Sequence, residues 1–426
     1  MRRPRGPLWH NRDFLLLWGA QSVSQVGSQV TGLALPLAAI FVLHATTFEV
    51  AALNVVDLLP FVLFSLPAGV WVDRLRRRPL MIASDWGRGA ALASIPIAYA
   101  FHGLTLPQLY AVGFTTGTLT VFFDVSYQSY LPSIVERTEL GDANSKLETT
   151  RSGAQIAGPG LAGLLVGAIT APYAIAVDAA SFVGSALLMS AIRRVEVLPE
   201  ALATARRRMR EEIAEGLRFV VGHPIMRPFL VFVAVSNFFS IVLFSIFLVF
   251  AVRDLHLSAA TIGLVLSLAN VGTLAGALTA TRMARVFGIG PTVIALAALS
   301  GVALLLIPLA RGGYAIPFIV TAQLVYGFCA LGMNVNGISL IQAITPDRML
   351  GRTNASRRFV VWGVMPFGGL IGGALGSALG LRTALWIGAI GASLAFIALL
   401  PSPLRRIRVL EDAERESASV GGPVST

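Results

Sequence analysis

The chain has 426 residues, 55% of them hydrophobic and only 13% charged, with a formal net charge of +11. So apolar a composition excludes an ordinary soluble domain of this length. The positive charge does not mark a nucleic-acid binder either, because the arginines stand at the ends of apolar runs rather than along one soluble face.

A helix needs about 20 apolar residues to cross a bilayer. By that ruler the chain holds about twelve spans, near 14–42, 49–71, 80–101, 106–129, 148–168, 172–192, 229–252, 259–281, 292–310, 317–342, 355–379 and 383–400. Most basic residues fall in alternate gaps. Only Arg253, Arg311 and Arg382 occupy the gaps between, and Arg88 lies inside a run. Lys and Arg are retained on the cytoplasmic side, so the alternation predicts a multi-pass protein with both termini in the cytoplasm. Arg2, Arg3, Arg5 and Arg12 precede the first run with no small-residue cleavage site, so that run is expected to stay as an anchor. Lys146 is the single lysine, which reads as GC-rich coding in a bacterium and hence a bacterial cytoplasmic membrane.

Residues 194–228 interrupt the spans and divide them into a first half, 1–193, and a second, 229–400, with a cytoplasmic tail over 401–426. Within the interruption Met209, Ile213, Leu217 and Val220 recur at helical spacing opposite Glu211, Glu212, Glu215 and Arg218, the pattern of a linker helix lying on the membrane surface. The tail beyond Pro403 reads as a disordered end. The halves echo each other. Leu131-Pro132, Ala143-Asn144-Ser145 and Gly158-Pro159 return as Thr345-Pro346, Thr353-Asn354-Ala355-Ser356 and Met365-Pro366. The offset is about 210 residues, and a parallel repeat of this kind is the layout of a secondary transporter with its site between the halves. The fold class expected is therefore an all-α membrane protein of twelve transmembrane helices in two six-helix parallel repeats.

One cysteine, Cys329, and scattered histidines (His10, His44, His102, His223, His256) offer no disulfide framework, metal cluster or catalytic triad. No G-x-x-x-x-G-K loop is present, which leaves an ATP-driven pump without its phosphate cradle. Neither enzymatic activity nor a cofactor is expected.

The strongest local motif is Gly69-Val-Trp-Val-Asp73-Arg74-Leu-Arg76-Arg77-Arg78-Pro79, between the second and third spans. It resembles the signature loop of the major facilitator superfamily, with Arg76 where that loop has its second glycine. The matching stretch of the second half, Gly276 to Arg285, keeps Arg282 and Arg285 but has Ala280 in place of the acid. The resemblance implies a latch on the cytoplasmic gate. Gly69, Asp73, Arg74, Arg77 and Arg78 form it, with Asp73 engaging the N-terminus of the eleventh span and the arginines meeting an acid on the fourth, here Asp124. A partly buried carboxylate at a helix N-terminus is worth up to about 2 kcal/mol, enough to hold a gate that must reopen.

On the fifth span Gly153, Gly158, Pro159, Ala162 and Gly163 are similar to the glycine-proline motif of drug:proton antiporters. Small residues permit close helix contact and the proline bends the helix. Asn11-Arg12-x-Phe14 with Trp18, Asp85-x-x-Arg88, Leu140-x-x-Ala143-Asn144, Asp178-Ala179-x-Ser181-Phe182 and Glu211-x-x-x-Glu215-Gly216-Leu217-Arg218 resemble the third drug:proton antiporter group in particular. Macrolide-efflux and enterobactin-export proteins belong to that group.

In such a fold the first, fourth, seventh and tenth spans line the cavity. Polar residues stripe them here: Gln21, Gln25 and Ser28, with Gln29 beside them; Asn237 and Ser240 among Phe238, Phe239, Phe244 and Phe247; and Gln323, Tyr326, Asn334 and Asn336. Amides and rings without fixed charge suit a large, mostly apolar solute, although interhelical hydrogen bonding explains any one of them equally well. A carboxylate at mid-membrane costs about 2.5–3.5 kcal/mol, so each one calls for a reason. Asp57 is the first candidate to carry a proton and Asp178 the second. Asp85 is expected to pair with Arg88 three residues on. The expected activity is export of a small molecule by proton antiport, as a monomer in the bilayer. Uptake by proton or sodium symport is the alternative.

Overall fold

The computed structural model describes residues 7–72, 75–193, 217–346, 349–413 and 415. These form helices and short 3-10 turns, with no strand among the described residues. Ten helices are long and apolar enough to cross a membrane. The two expected spans that fall short in apolarity are 24 and 29 residues long, which is ample for crossing. Their shortfall is informative, since the first holds Asp85 and Arg88 and the second a run of threonines with Asp124.

The described residues fall into two compact units. The first comprises those up to 193 with Leu257–Ser267, and the second comprises 217–256 and 268 onward. The first unit holds α1 (Arg12–Phe41), α2 (Thr47–Val72), α3 (Arg77–Ala100), α4 (Leu106–Ile134), α5 (Leu140–Ile169) and α6 (Ala171–Ser190). Next come α7 (Met226–Arg253), α8 (Ala259–Phe287), α9 (Ile289–Leu304) and α10 (Ala315–Ile344). The eleventh span is broken in two, as α11 (Leu350–Gly363) and α12 (Met365–Leu379), before α13 (Leu381–Leu394). Pro366 explains the break, because a proline cannot donate to the preceding turn.

The helix pairings repeat between the units. In the first, α1 packs on α6 and α5, and α3 on α6 and α4; in the second, α7 packs on α13 and α12, and α9 on α13 and α10. Junctions repeat too. Thr170 joins α5 to α6 at φ 72°, ψ 158°, and Gly380 joins α12 to α13 at φ 85°, ψ 152°. That region suits glycine, so Thr170 is strained where its counterpart is not. His44, His102 and His256 follow α1, α3 and α7 in left-handed conformation, at φ 50°, 56° and 50°. Histidine tolerates that region better than most residues do.

Residues singled out in the sequence acquire local causes. Asn11 caps α1, its side chain accepting from the Phe14 N–H at 3.1 Å while its own amide donates to the Ile134 carbonyl at 3.0 Å. Trp18 Nε1 donates to Thr150 Oγ1 at 2.9 Å, tying α1 to α5. Leu164, Leu278 and Phe367 are 62%, 75% and 65% exposed, as lipid-facing side chains should be.

The expectation of disorder beyond Pro403 fails as far as Ala413. Leu404, Ile407 and Ala413 are 0%, 2% and 0% exposed and join the apolar cluster of Phe229 and Phe232. The Ile289 and Gly290 N–H groups, free at the start of α9, donate to the Arg408 and Ile407 carbonyls at 3.1 and 2.9 Å. The intervening arginines disguise this apolar spacing as a charged tail. Residues 194–216 lie outside the described residues, and with them Met209 and Ile213 of the expected surface helix. Residues 217–222 are helical, with Val220 buried.

Candidate functional site

In the first unit α1, α3, α4 and α5 enclose a polar cavity of about 380 Å³. It lies toward the arginine-rich end, where α1 begins and α4 finishes. Gln21, Gln25 and Ser28 line it from α1, one helical turn apart, as the sequence stripe requires. Asp124, Tyr127 and Gln128 line it from α4, and Glu148, Arg151 and Gln155 from α5. A second cavity of about 190 Å³ lies toward the arginine-poor end, lined by Thr31, Asn54, Asp57, Thr116 and Asp178. Ser28, Arg88 and Thr120 belong to the walls of both.

Arg88 is 4% exposed. It forms an ion pair with Asp85, as expected, and Ser185 Oγ donates to the other Asp85 oxygen at 2.6 Å. Arg88 Nη1 donates to Thr120 Oγ1 at 3.3 Å. The Phe123 and Phe182 rings flank the guanidinium at 4.4 and 4.1 Å, a cation–π contact that substitutes for part of the lost hydration. The buried Nε has no hydrogen-bond partner among the described residues.

The four membrane carboxylates differ in company. Asp85 has its arginine and its serine. Asp178, 1% exposed, accepts from Thr31 Oγ1 and, at 2.9 Å, from Ser181 Oγ. These bonds tie α1 to α6 beside Gly27, where a Cβ would collide with the Asp178 carboxylate. Asp124 lies in the field of Arg88 and Arg151 and accepts no hydrogen bond from a described residue. Asp57 is exposed into the smaller cavity, with neither a hydrogen-bond donor nor an ion-pair partner among the described residues.

Of the loop motif, Asp73 and Arg74 lie outside the described residues. Gly69 sits near the end of α2 with open space around it. Arg78 donates to the Met189 and Ser190 carbonyls at 3.2 and 2.7 Å, a cation on the C-terminus of α6. Arg77 reaches the Ser129 carbonyl at 3.2 Å.

The glycine-proline motif has a concrete task in the first unit. A Cβ on Gly158 would strike the Gln29 side chain of α1, and one on Gly163 the Ala259 carbonyl at the start of α8. Pro159 loosens the helix at that turn, and the Gly160 N–H donates to Ser267 Oγ at 2.8 Å. Gly153 meets nothing within 4 Å.

In the second unit the Phe244 and Tyr326 rings meet at 5.2 Å. Asn336 is buried, its amide donating to the Ala280 and Gly332 carbonyls at 3.3 and 2.9 Å, so it joins α10 to α8. Gln323 is buried, Asn237 half-buried and Asn334 exposed. Sequence reasoning missed Glu148, Arg151 and Gln155. Their spacing on the same face as Gly158 was the available signal.

The chain matches the transmembrane secretion effector family, a major facilitator family, over residues 4–422. The multidrug efflux pump Tap of Mycolicibacterium fortuitum is 25% identical over 424 residues, covering 96% of this chain and 98% of that one. Macrolide efflux protein A of Streptococcus pyogenes is 26% identical over 207 residues, 48% of this chain and 50% of that one. In fold, the chain is similar to an inward-facing bacterial homologue of the iron transporter ferroportin, with a TM-score of 0.75 at 17% identity, covering 92% and 98% of the two chains. It is also similar to a point mutant of the nucleoside transporter NupG, with a TM-score of 0.74 at 11% identity, covering 91% and 99%. With this match along almost its whole length, the chain belongs to the transmembrane secretion effector family, as a multi-pass membrane transporter of small molecules rather than an enzyme.

Proposed function

We propose that this transporter exports small, largely apolar molecules across the bacterial cytoplasmic membrane in exchange for protons, by alternating access, with both termini in the cytoplasm. The names of its relatives, a multidrug pump and a macrolide exporter, support the direction and the substrate class. Amides and rings at Gln21, Gln25, Asn237, Phe244, Gln323, Tyr326, Asn334 and Asn336 would receive the solute. Gly69, Asp73, Arg74, Arg77, Arg78 and Asp124 would latch the cytoplasmic gate, and Gly158, Pro159 and Gly163 of the glycine-proline motif would seat α5, with Gly153 outside the contact.

The observation that carries proton coupling is the isolation of Asp57. A carboxylate inside a span with no donor and no cation to hold its charge binds a proton readily, and releases it when water or a counter-ion arrives. Asp178, held by two hydroxyls, serves better as a tie between α1 and α6.

The test uses inside-out vesicles from efflux-deficient cells, acidified within and loaded with a pH-quenched dye. Macrolides, lipophilic dyes and catecholate siderophores are added in turn. Dequenching by one class with wild type and not with Asp57→Asn is the expected result. Equal dequenching by the variant would remove Asp57 from the mechanism.

A further inference from the structure

We propose that Arg88 is the barrier that keeps protons from leaking between the two cavities of the first unit, so that the transporter does not discharge the gradient it works from. This rests on the proton-coupled reading for its purpose, while its physical basis stands on the geometry alone.

The two cavities follow one another along the same helices. The larger is walled by the arginine-rich ends of α1, α4 and α5, and the smaller contains Asp57. Their common wall consists of Ser28, Arg88 and Thr120. Carboxylates stand on both sides: Asp124 and Glu148 in the larger cavity, Asp57 and Asp178 in the smaller. A row of acids and hydroxyls joined by water is a proton path, and such a path through a carrier would run whether or not substrate moved.

Of the three residues common to both walls, Arg88 alone carries a charge, and that charge opposes such a path. Arginine stays protonated at any physiological pH, so it accepts no proton and repels any hydrated cation that approaches. Positive groups at the narrowest point of aqueous pores exclude protons on the same principle. Here the guanidinium is poorly hydrated, being almost wholly buried, so its field is only partly screened. The charges facing it are Asp85 on its own helix, Asp124 from α4 and Asp178 from α6. Asp85 binds it directly but lines neither cavity, so the ion pair turns its positive end to both, while Asp124 and Asp178 act on it only through their fields. The Phe123 ring, from the larger cavity's lining, and the Phe182 ring, from the smaller's, hold it between them.

The experiment needs no substrate. Purified protein is reconstituted into liposomes containing a trapped pH dye, the membrane potential is clamped with potassium and valinomycin, and proton entry down an imposed gradient is timed. Arg88→Gln is expected to leak at least tenfold faster than wild type, and Arg88→Lys, which keeps the charge, to stay close to wild type. Because Arg88→Gln strands Asp85 without its partner, the neutral pair Asp85→Asn with Arg88→Gln is measured beside it and is expected to leak as fast. Neutral variants as tight as wild type would overturn the barrier, and so would a lysine variant as leaky as glutamine. Failure of proton-coupled export would show separately, as wild-type vesicles that never exchange protons for solute.

Discussion

Replacing Gly163 by alanine adds one carbon where the Ala259 carbonyl oxygen already stands. The Ala259 carbonyl carbon and the Ala260 Cα would lie 3.1 Å away. All three neighbours are backbone, so none can rotate aside, and α5 must draw back from the start of α8. Overpacking of this kind costs about 1–3 kcal/mol. Gly153 supplies the control, ten residues earlier in the same helix and the same motif. Nothing lies within 4 Å of its missing Cβ, so alanine there should gain about 0.5–1 kcal/mol from the backbone alone. The same substitution in one motif is thus expected to have opposite signs, separated by about 1.5–4 kcal/mol. Equilibrium unfolding in mixed detergent micelles measures both. Gly163→Ala as stable as Gly153→Ala would refute the close seat and reduce the motif to generic small-residue content.

Thr170→Gly should stabilise the protein by about 1–3 kcal/mol by relieving its left-handed backbone, seen as a higher melting temperature; an unchanged value would mean the turn is unstrained. His223 Nδ1 accepts from the Ile225 and Met226 N–H groups at 3.2 and 3.4 Å, capping α7, and burial pushes its pKa below the usual 6.5. A depressed base favours the folded state when neutral, so this cap is fully in place above the unfolded value and is lost as pH falls through the lower folded one. His223→Ala should cost about 1 kcal/mol at neutral pH and flatten that dependence, as read from melting temperature against pH. Leu404→Ala, at a fully buried side chain, should cost about 2–5 kcal/mol in the same unfolding assay.

The spans were legible because apolar length is a one-dimensional signal, readable without any knowledge of packing. Gln21, Gln25 and Ser28 were legible as one wall of a cavity because helical spacing can be read along one chain, whereas Asp124 was read there only as the acid of the latch. What Arg88 does was not legible. In sequence it is an ion pair at i, i+3, and only packing shows the same guanidinium lining two cavities between rings from α4 and α6. The end of the chain misled for the opposite reason. Arg405, Arg406 and Arg408 dominate its composition, while the burial of Leu404 and Ile407 depends on α7 and α9, which are distant in sequence.

The grouping of Leu257–Ser267 with the first six helices bears on the order in which the protein is made. A ribosome that has delivered α6 into the bilayer has not yet delivered the surface on which Gly160 and Gly163 rest. That surface emerges only with the opening turns of α8, after α7 has been threaded. The second unit waits longer still, since Ile289 and Gly290 find their acceptors in residues synthesised more than a hundred positions later. Nascent chains released short of either point would hold helices with bare backbone donors or open glycine faces, the features by which membrane quality control would recognise an unfinished product.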